Sequence, residues 1–79
     1  MDTNDEIKNI FGEVFNISPD KIETKTKQNE LEGWDSLGQL RLIMTLEEKF
    51  GISYSIDEIA SLNTYEKILK KTEQKFSEK

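Results

Sequence analysis

The sequence predicts an all-α domain of four helices, and three observations carry that reading. Apolar residues recur at intervals of three and four in four separate stretches, as they do on one-sided helices. Each stretch opens at a threonine, serine or aspartate suited to capping a helix. No alternating apolar and polar run longer than Gly51-Ile52-Ser53-Tyr54 is present to make a strand.

The first stretch begins at Thr3, with Glu6 three residues later in a capping-box pattern. Ile7, Ile10, Phe11 and Val14 follow at helical spacing, with Phe15 as a further candidate. Ile17-Ser18-Pro19 should end this helix, because the residue before a proline is pushed out of the helical region. Residues 18–35 read as a long connection. Segments of this length are tied down or functional, and Ile22 and Leu31 are the expected anchors.

The second helix is capped by Asp35 or Ser36 and runs to Gly51, a glycine stop. Its expected apolar face is Leu37, Leu40, Ile43, Met44, Leu46 and Phe50. Glu47 and Glu48 sit in its last turn, where acids oppose the helix dipole. A short third helix opens on the Ser55–Glu58 capping box, offers Ile56, Ile59 and Leu62, and stops at Asn63. The fourth starts at Thr64 with Tyr65, Ile68 and Leu69 on one side and Phe76 as a candidate; the polar residues 70–79 are expected to fray.

Composition limits what such a domain can do. The chain has 79 residues, enough for one domain, here taken as 1–79 with a core of about 4–76. Hydrophobic residues make up 34%, so the core must be thin. With no cysteine there is no disulfide or thiolate metal site, and with no histidine imidazole base chemistry and the usual zinc sites are out. The remaining carboxylates and lysines form no recognisable arrangement around a serine nucleophile, and metal binding through Asp35 and nearby acids is nonspecific. Neither a catalytic residue nor a metal site is therefore assigned.

The net charge of -5 argues against nucleic-acid binding, which needs a basic footprint. It is spread unevenly: residues 1–33 carry -4, residues 34–63 carry -3 and residues 64–79 carry +2, so a partner of the first two-thirds should be basic. No apolar run approaches a bilayer span, and the acidic start of the chain lacks an apolar signal region, which points to a cytoplasmic protein, expected to be a monomer.

The informative stretch is Gly33-Trp34-Asp35-Ser36-Leu37. It puts a serine where a long loop meets the start of the longest helix. The first helical turn has unpaired N–H groups and partial positive charge, so a phosphate attached there is well placed. Taken alone, these five residues read first as an ordinary helix cap.

The wider pattern changes that. Asp35-Ser36-Leu37, then Leu40, Leu42-Ile43-Met44 and Leu46-Glu47-Glu48-Lys49-Phe50-Gly51-Ile52, closely resembles the second helix of acyl carrier proteins. The resemblance covers residues 4–76 and includes the long loop, the short third helix and the Thr-capped fourth. It implies a four-helix bundle of acyl-carrier type and a carrier rather than an enzyme. Ser36 would hold a covalent 4′-phosphopantetheine, attached from coenzyme A by a phosphopantetheinyl transferase. The arm's thiol would carry acyl groups as thioesters to acyl-loading and acyl-transferring enzymes. Asp35 and Leu37 would help the transferase recognise the serine. Arg41, Glu47, Glu48, Asp57 and Glu58 would meet partner enzymes, though each charge alone reads first as solvated surface. Met44, Leu46, Ile59, Leu62 and Ile68 could line an acyl cavity, though each alone reads first as plain core.

Members serving fatty acid synthesis usually carry more acids just after the serine, where this chain has Gly38, Gln39 and Arg41. A helical glycine costs about 1 kcal/mol relative to alanine, and no local sequence feature explains Gly38. Arg41 should weaken docking to strongly basic partners. The Gly33-Trp34 lead-in and Leu40-Arg41-Leu42 are more similar to carriers of specialised pathways, such as polyketide, peptide or surface-polysaccharide assembly. The alternatives are a carrier for primary fatty acid synthesis and, in a different class, a helical interaction module without a prosthetic group.

Overall fold

The computed structural model describes residues 3–78 and contains α1 (Thr3–Phe15), α2 (Ser36–Phe50), α3 (Ile56–Ser61) and α4 (Tyr65–Ser77). Among the described residues there is no strand, only an isolated antiparallel bridge between Lys27 and Thr64. The all-α reading of the sequence is met.

α1 buries Ile7, Ile10 and Phe11, as its spacing predicts. It begins at Thr3 as predicted, but the capping role of that residue and the predicted end need correction. Thr3 is already helical, so it is not the capping residue, and the position before it lies outside the described residues. The helix stops before the proline can act. Asn16 takes a left-handed backbone (φ 57°), and the Ile17 N–H turns back to the Gly12 carbonyl at 3.1 Å. That is a C-terminal reversal with asparagine in the role glycine usually fills. Pro19 instead opens a 3-10 turn, Pro19–Lys21.

The long connection is tied down as expected, with Ile22 buried and Leu31 packed against the core. A second 3-10 turn spans Gln28–Glu30. Backbone bonds fasten the loop to the start of α4: Tyr65 N–H donates to the Thr26 carbonyl (2.9 Å) and Glu66 N–H to that of Thr24 (3.2 Å). Gln28 N–H donates to Asn63 O at 2.9 Å. The loop thereby satisfies two first-turn donors that a helix cannot satisfy by itself.

α2 runs to Gly51, whose φ of 65° and N–H bond to Glu47 O (2.8 Å) form the predicted glycine stop. Its inner face is Gly38, Gln39, Leu42, Ile43, Leu46 and Phe50. Of the predicted face, Ile43, Leu46 and Phe50 are buried as expected, whereas Leu37, Leu40 and Met44 are 69%, 48% and 66% exposed. α3 has the predicted reciprocal capping box, with Glu58 N–H bonded to Ser55 Oγ (3.1 Å) and Ser55 N–H to Glu58 Oε1 (2.8 Å). Ile56, one of the apolar residues read in this helix, is 84% exposed, and the helix ends at Ser61 with Leu62 as its C-cap, one residue before the predicted stop at Asn63.

α4 is capped by Thr64, whose hydroxyl accepts from Lys67 N–H at 3.1 Å. It buries Tyr65, Ile68 and Thr72. Through the residues expected to fray, the helix continues to Ser77, and Lys79 lies outside the described residues. Three contacts hold its last turns. Phe76 meets Phe50 edge-on with centroids 5.3 Å apart, Lys75 pairs with Glu58 at 2.9 Å, and Thr72 shares a buried hydroxyl bond with Tyr54.

Aromatic rings offset the low apolar fraction. Phe11 packs edge-on against both Trp34 and Tyr65, each with centroids 5.1 Å apart. Such pairs contribute about 0.5–1.5 kcal/mol each beyond the area they bury. Trp34 and Tyr65 are among the largest fully buried side chains, and this cluster lies directly beneath the junction of the long loop with α2. No described helix is long and apolar enough to cross a membrane.

Candidate functional site

The site is the start of α2. Asp35 is extended (φ -110°, ψ -164°) and is the capping residue, with Oδ1 accepting from Gly38 N–H at 2.9 Å. Ser36 is then the first helical residue rather than the cap, and both Ser36 and Leu37 are exposed. The Ser36 and Leu37 N–H groups precede the first helical hydrogen bond, which Gln39 N–H makes to Asp35 O at 2.8 Å. Unpaired donors and the positive end of the helix thus surround an exposed hydroxyl.

Three contacts make this junction rigid. Gly33 has φ 87°, a backbone that favours glycine, and its carbonyl lies against Gly38. A Cβ on Gly38 would sit 2.0 Å from the Gly33 oxygen and 3.0 Å from the Phe15 ring. The helical glycine that no neighbouring residue explains is there because the loop crosses α2 at backbone distance. The third contact is polar and buried. Trp34 Nε1 donates to Gln39 Oε1 at 2.7 Å, and Gln39 Nε2 donates to the carbonyls of Ile59 (2.9 Å) and Leu62 (2.8 Å). Sequence reading missed both residues. In the sequence Gln39 stands out only as a residue where acids are usual, and the signal that could have found its buried role is the tryptophan five residues earlier, whose indole N–H needs a partner once buried.

Two clefts flank Ser36. One, of about 680 Å³, is lined by polar residues that include Lys27, Asn29, Asp35, Asn63 and Thr64. The other, of about 440 Å³, lies between α2 and α3 and is lined by Leu40, Ile56, Ile59 and Ala60 with Gln28 and Gln39.

The five predicted docking charges fall into two groups. Arg41, Glu48 and Asp57 are exposed; the Arg41 guanidinium reaches only to the Val14 carbonyl at 3.5 Å. Glu47 and Glu58 are engaged inside the protein. Glu47 Oε2 accepts from Tyr54 N–H at 2.9 Å. Glu58 accepts from the Ser55 N–H and pairs with Lys75 and Lys71, contacts that lower its pKa to about 2. Burial raises the neighbouring Tyr54 hydroxyl to about 12.

The predicted cavity residues separate too. Leu46, Leu62 and Ile68 are buried in the core, and Ile59 lines the cleft beside Ser36. Met44 is on the outside of α2 and cannot line an internal cavity. Among the described residues no cluster of acids could hold a metal ion.

Comparison with known proteins gives one answer. Residues 5–71 match the model of the family described as phosphopantetheine attachment site. The chain is 38% identical over 60 residues to an acyl carrier protein of Sulfurovum sp. (strain NBC37-1), covering 76% of this chain and 80% of that one. It is 34% identical over 70 residues to an acyl carrier protein of Chlamydia trachomatis serovar L2, covering 89% and 91%. The fold superposes on the solution NMR structure of holo acyl carrier protein from Geobacter metallireducens with a TM-score of 0.86 and 27% identity, covering 99% and 90%.

Proposed function

The chain belongs to the acyl carrier protein family, and on that premise we propose that Ser36 is the residue that bears its 4′-phosphopantetheine. As a member it is a carrier of acyl groups on this arm and not a catalyst. One observation supports Ser36 above all: its exposed hydroxyl stands at the capped start of α2, where two clefts meet.

The residues present fit the group. Ser36 offers the hydroxyl to which the phosphate is joined. The unpaired N–H groups of the first turn and the helix dipole favour the negative phosphodiester. Asp35 fixes the start of the helix, and the Gly33–Gly38 approach fixes the loop, so the hydroxyl is presented in one place. When bound, the arm supplies a thiol that holds acyl groups as thioesters. This chain has no cysteine to compete for them. The tether raises the effective concentration of its cargo at each enzyme the carrier docks.

Asp35 and Leu37, which flank the serine, are assigned to recognition by the transferase. Arg41, Glu48 and Asp57 are assigned to partner enzymes in the cytoplasm. Glu47 and Glu58 have smaller roles there, because their carboxylates are already engaged. The pathway is read as a specialised one, of polyketide, peptide or polysaccharide type, and not primary fatty acid synthesis. An exposed arginine where acids are usual supports this. Gly38 no longer bears on it, since backbone packing accounts for that residue.

The test is incubation with coenzyme A and a broad-specificity phosphopantetheinyl transferase, read by intact mass. One phosphopantetheine should be added to the protein and none to Ser36→Ala. No gain under conditions that modify a control carrier would overturn the assignment.

A further inference from the structure

We propose that this carrier holds a short acyl group outside its helical core, in the surface cleft between α2 and α3, and that the buried Trp34–Gln39 pair is what closes the core to longer chains. The inference rests on Ser36 as the attachment point.

An apolar chain tethered at Ser36 that follows the cleft between α2 and α3 inward meets Gln39. It is one helical turn below Ser36 and buried, and its amide makes three hydrogen bonds: one from Trp34 Nε1 and two to the α3-end carbonyls of Ile59 and Leu62. Trp34 fills the space beside it, against Phe11 and Phe15. A chain entering here would have to displace a fully satisfied buried polar network. It would strand an indole N–H and two carbonyls away from water, the costly way to lose a hydrogen bond. No buried side-chain polar atom among the described residues lacks a partner, so no weak point in the network favours entry.

The cleft outside it suits a different cargo. It is open to solvent, begins at Ser36, and is lined by Leu40, Ile56, Ile59 and Ala60 with Gln28, while the Gln39 amide at its floor is already fully bonded. That mixture accommodates a few carbons and a polar carbonyl or hydroxyl. A long hydrocarbon would leave much of its length in water.

The test uses the whole chain loaded by the transferase with acetyl- or octanoyl-coenzyme A, with intact mass confirming each load. Absence of both mass gains would overturn the Ser36 assignment and this inference with it. With loading confirmed, the octanoyl and acetyl forms should melt at the same temperature and lose their thioesters to hydroxylamine at rates within about twofold, since neither chain is buried. An octanoyl form that melts several degrees higher and reacts several-fold more slowly would overturn the inference while leaving Ser36 in place. Gln39→Leu, which removes the polar plug, should give the octanoyl form the protection that the native chain lacks. If a folded Gln39→Leu protein shows no such gain, the block does not lie at Gln39 and the proposal fails.

Discussion

The two faces of α2 are both rich in apolar residues, yet they do opposite work. The inner face presents Leu42, Ile43, Leu46 and Phe50 to the core, with Gln39 as its one polar member. The outer face presents Leu37, Leu40 and Met44 to solvent, interrupted by Arg41 and Glu48. Packing explains the first set and not the second, which lies beside Ser36 on the face proposed above to meet partner enzymes. A polar residue is buried beneath the serine while apolar ones are exposed around it, the reverse of a helix that serves stability alone.

Truncating one residue from each face separates their roles most clearly. Leu42→Ala should destabilise the protein by about 2–5 kcal/mol, because the side chain is buried and leaves a cavity. Met44→Ala should change stability by no more than about 0.5 kcal/mol. Urea unfolding followed by Trp34 fluorescence measures both; equal effects would contradict the assignment of faces. Next comes Gly38→Ala. Its new methyl would meet the Gly33 carbonyl at 2.0 Å, so the usual helix-stabilising exchange should instead cost about 1–3 kcal/mol in the same assay. Asp35→Ala removes the cap bond to Gly38 N–H and should cost about 1 kcal/mol. Because it also loosens the platform under Ser36, it should slow loading by the transferase, whereas Met44→Ala should leave the cap intact.

The smallest effect tests the far end of the molecule. The Glu58 carboxyl is lowered from 4.5 to about 2, first by the Ser55 N–H bond and then by Lys75. A lowered folded-state pKa stabilises the fold above the ordinary value and loses that contribution as pH falls. The Tm advantage of the native chain over Glu58→Gln should therefore be full above pH 4.5 and fade towards pH 2. A difference in Tm unchanged across that window would show that the clamp between α3 and α4 does not depend on the charge of Glu58.

These contrasts also explain what could be read from the sequence. Caps and stops depend on neighbouring residues, so the Ser55–Glu58 box, the Thr64 cap and the Gly51 stop were legible. So were the anchors Ile22 and Leu31, two apolar residues in a polar stretch. The inner face of α2 was legible only in part, through Ile43, Leu46 and Phe50. Leu37, Leu40 and Met44 form a second apolar stripe beside the true one, and periodicity cannot say which stripe has a partner. The roles of Trp34, Gly38 and Gln39 depend on contacts with α1, the loop and the end of α3, which no local pattern encodes. The exposed hydroxyl of Ser36 could be expected, because it follows from a polar loop meeting a capped helix.

Attachment of the arm at Ser36, as proposed, can be assayed directly on a proteolytic peptide. Trypsin cuts after Lys27 and Arg41, and the peptide 28–41 between them contains one hydroxyl side chain, that of Ser36. After reaction with coenzyme A and the transferase, peptide mass spectrometry should find the phosphopantetheine on peptide 28–41 and nowhere else. An unmodified 28–41 peptide in a protein that has gained the group, or a protein that gains none, would contradict the account.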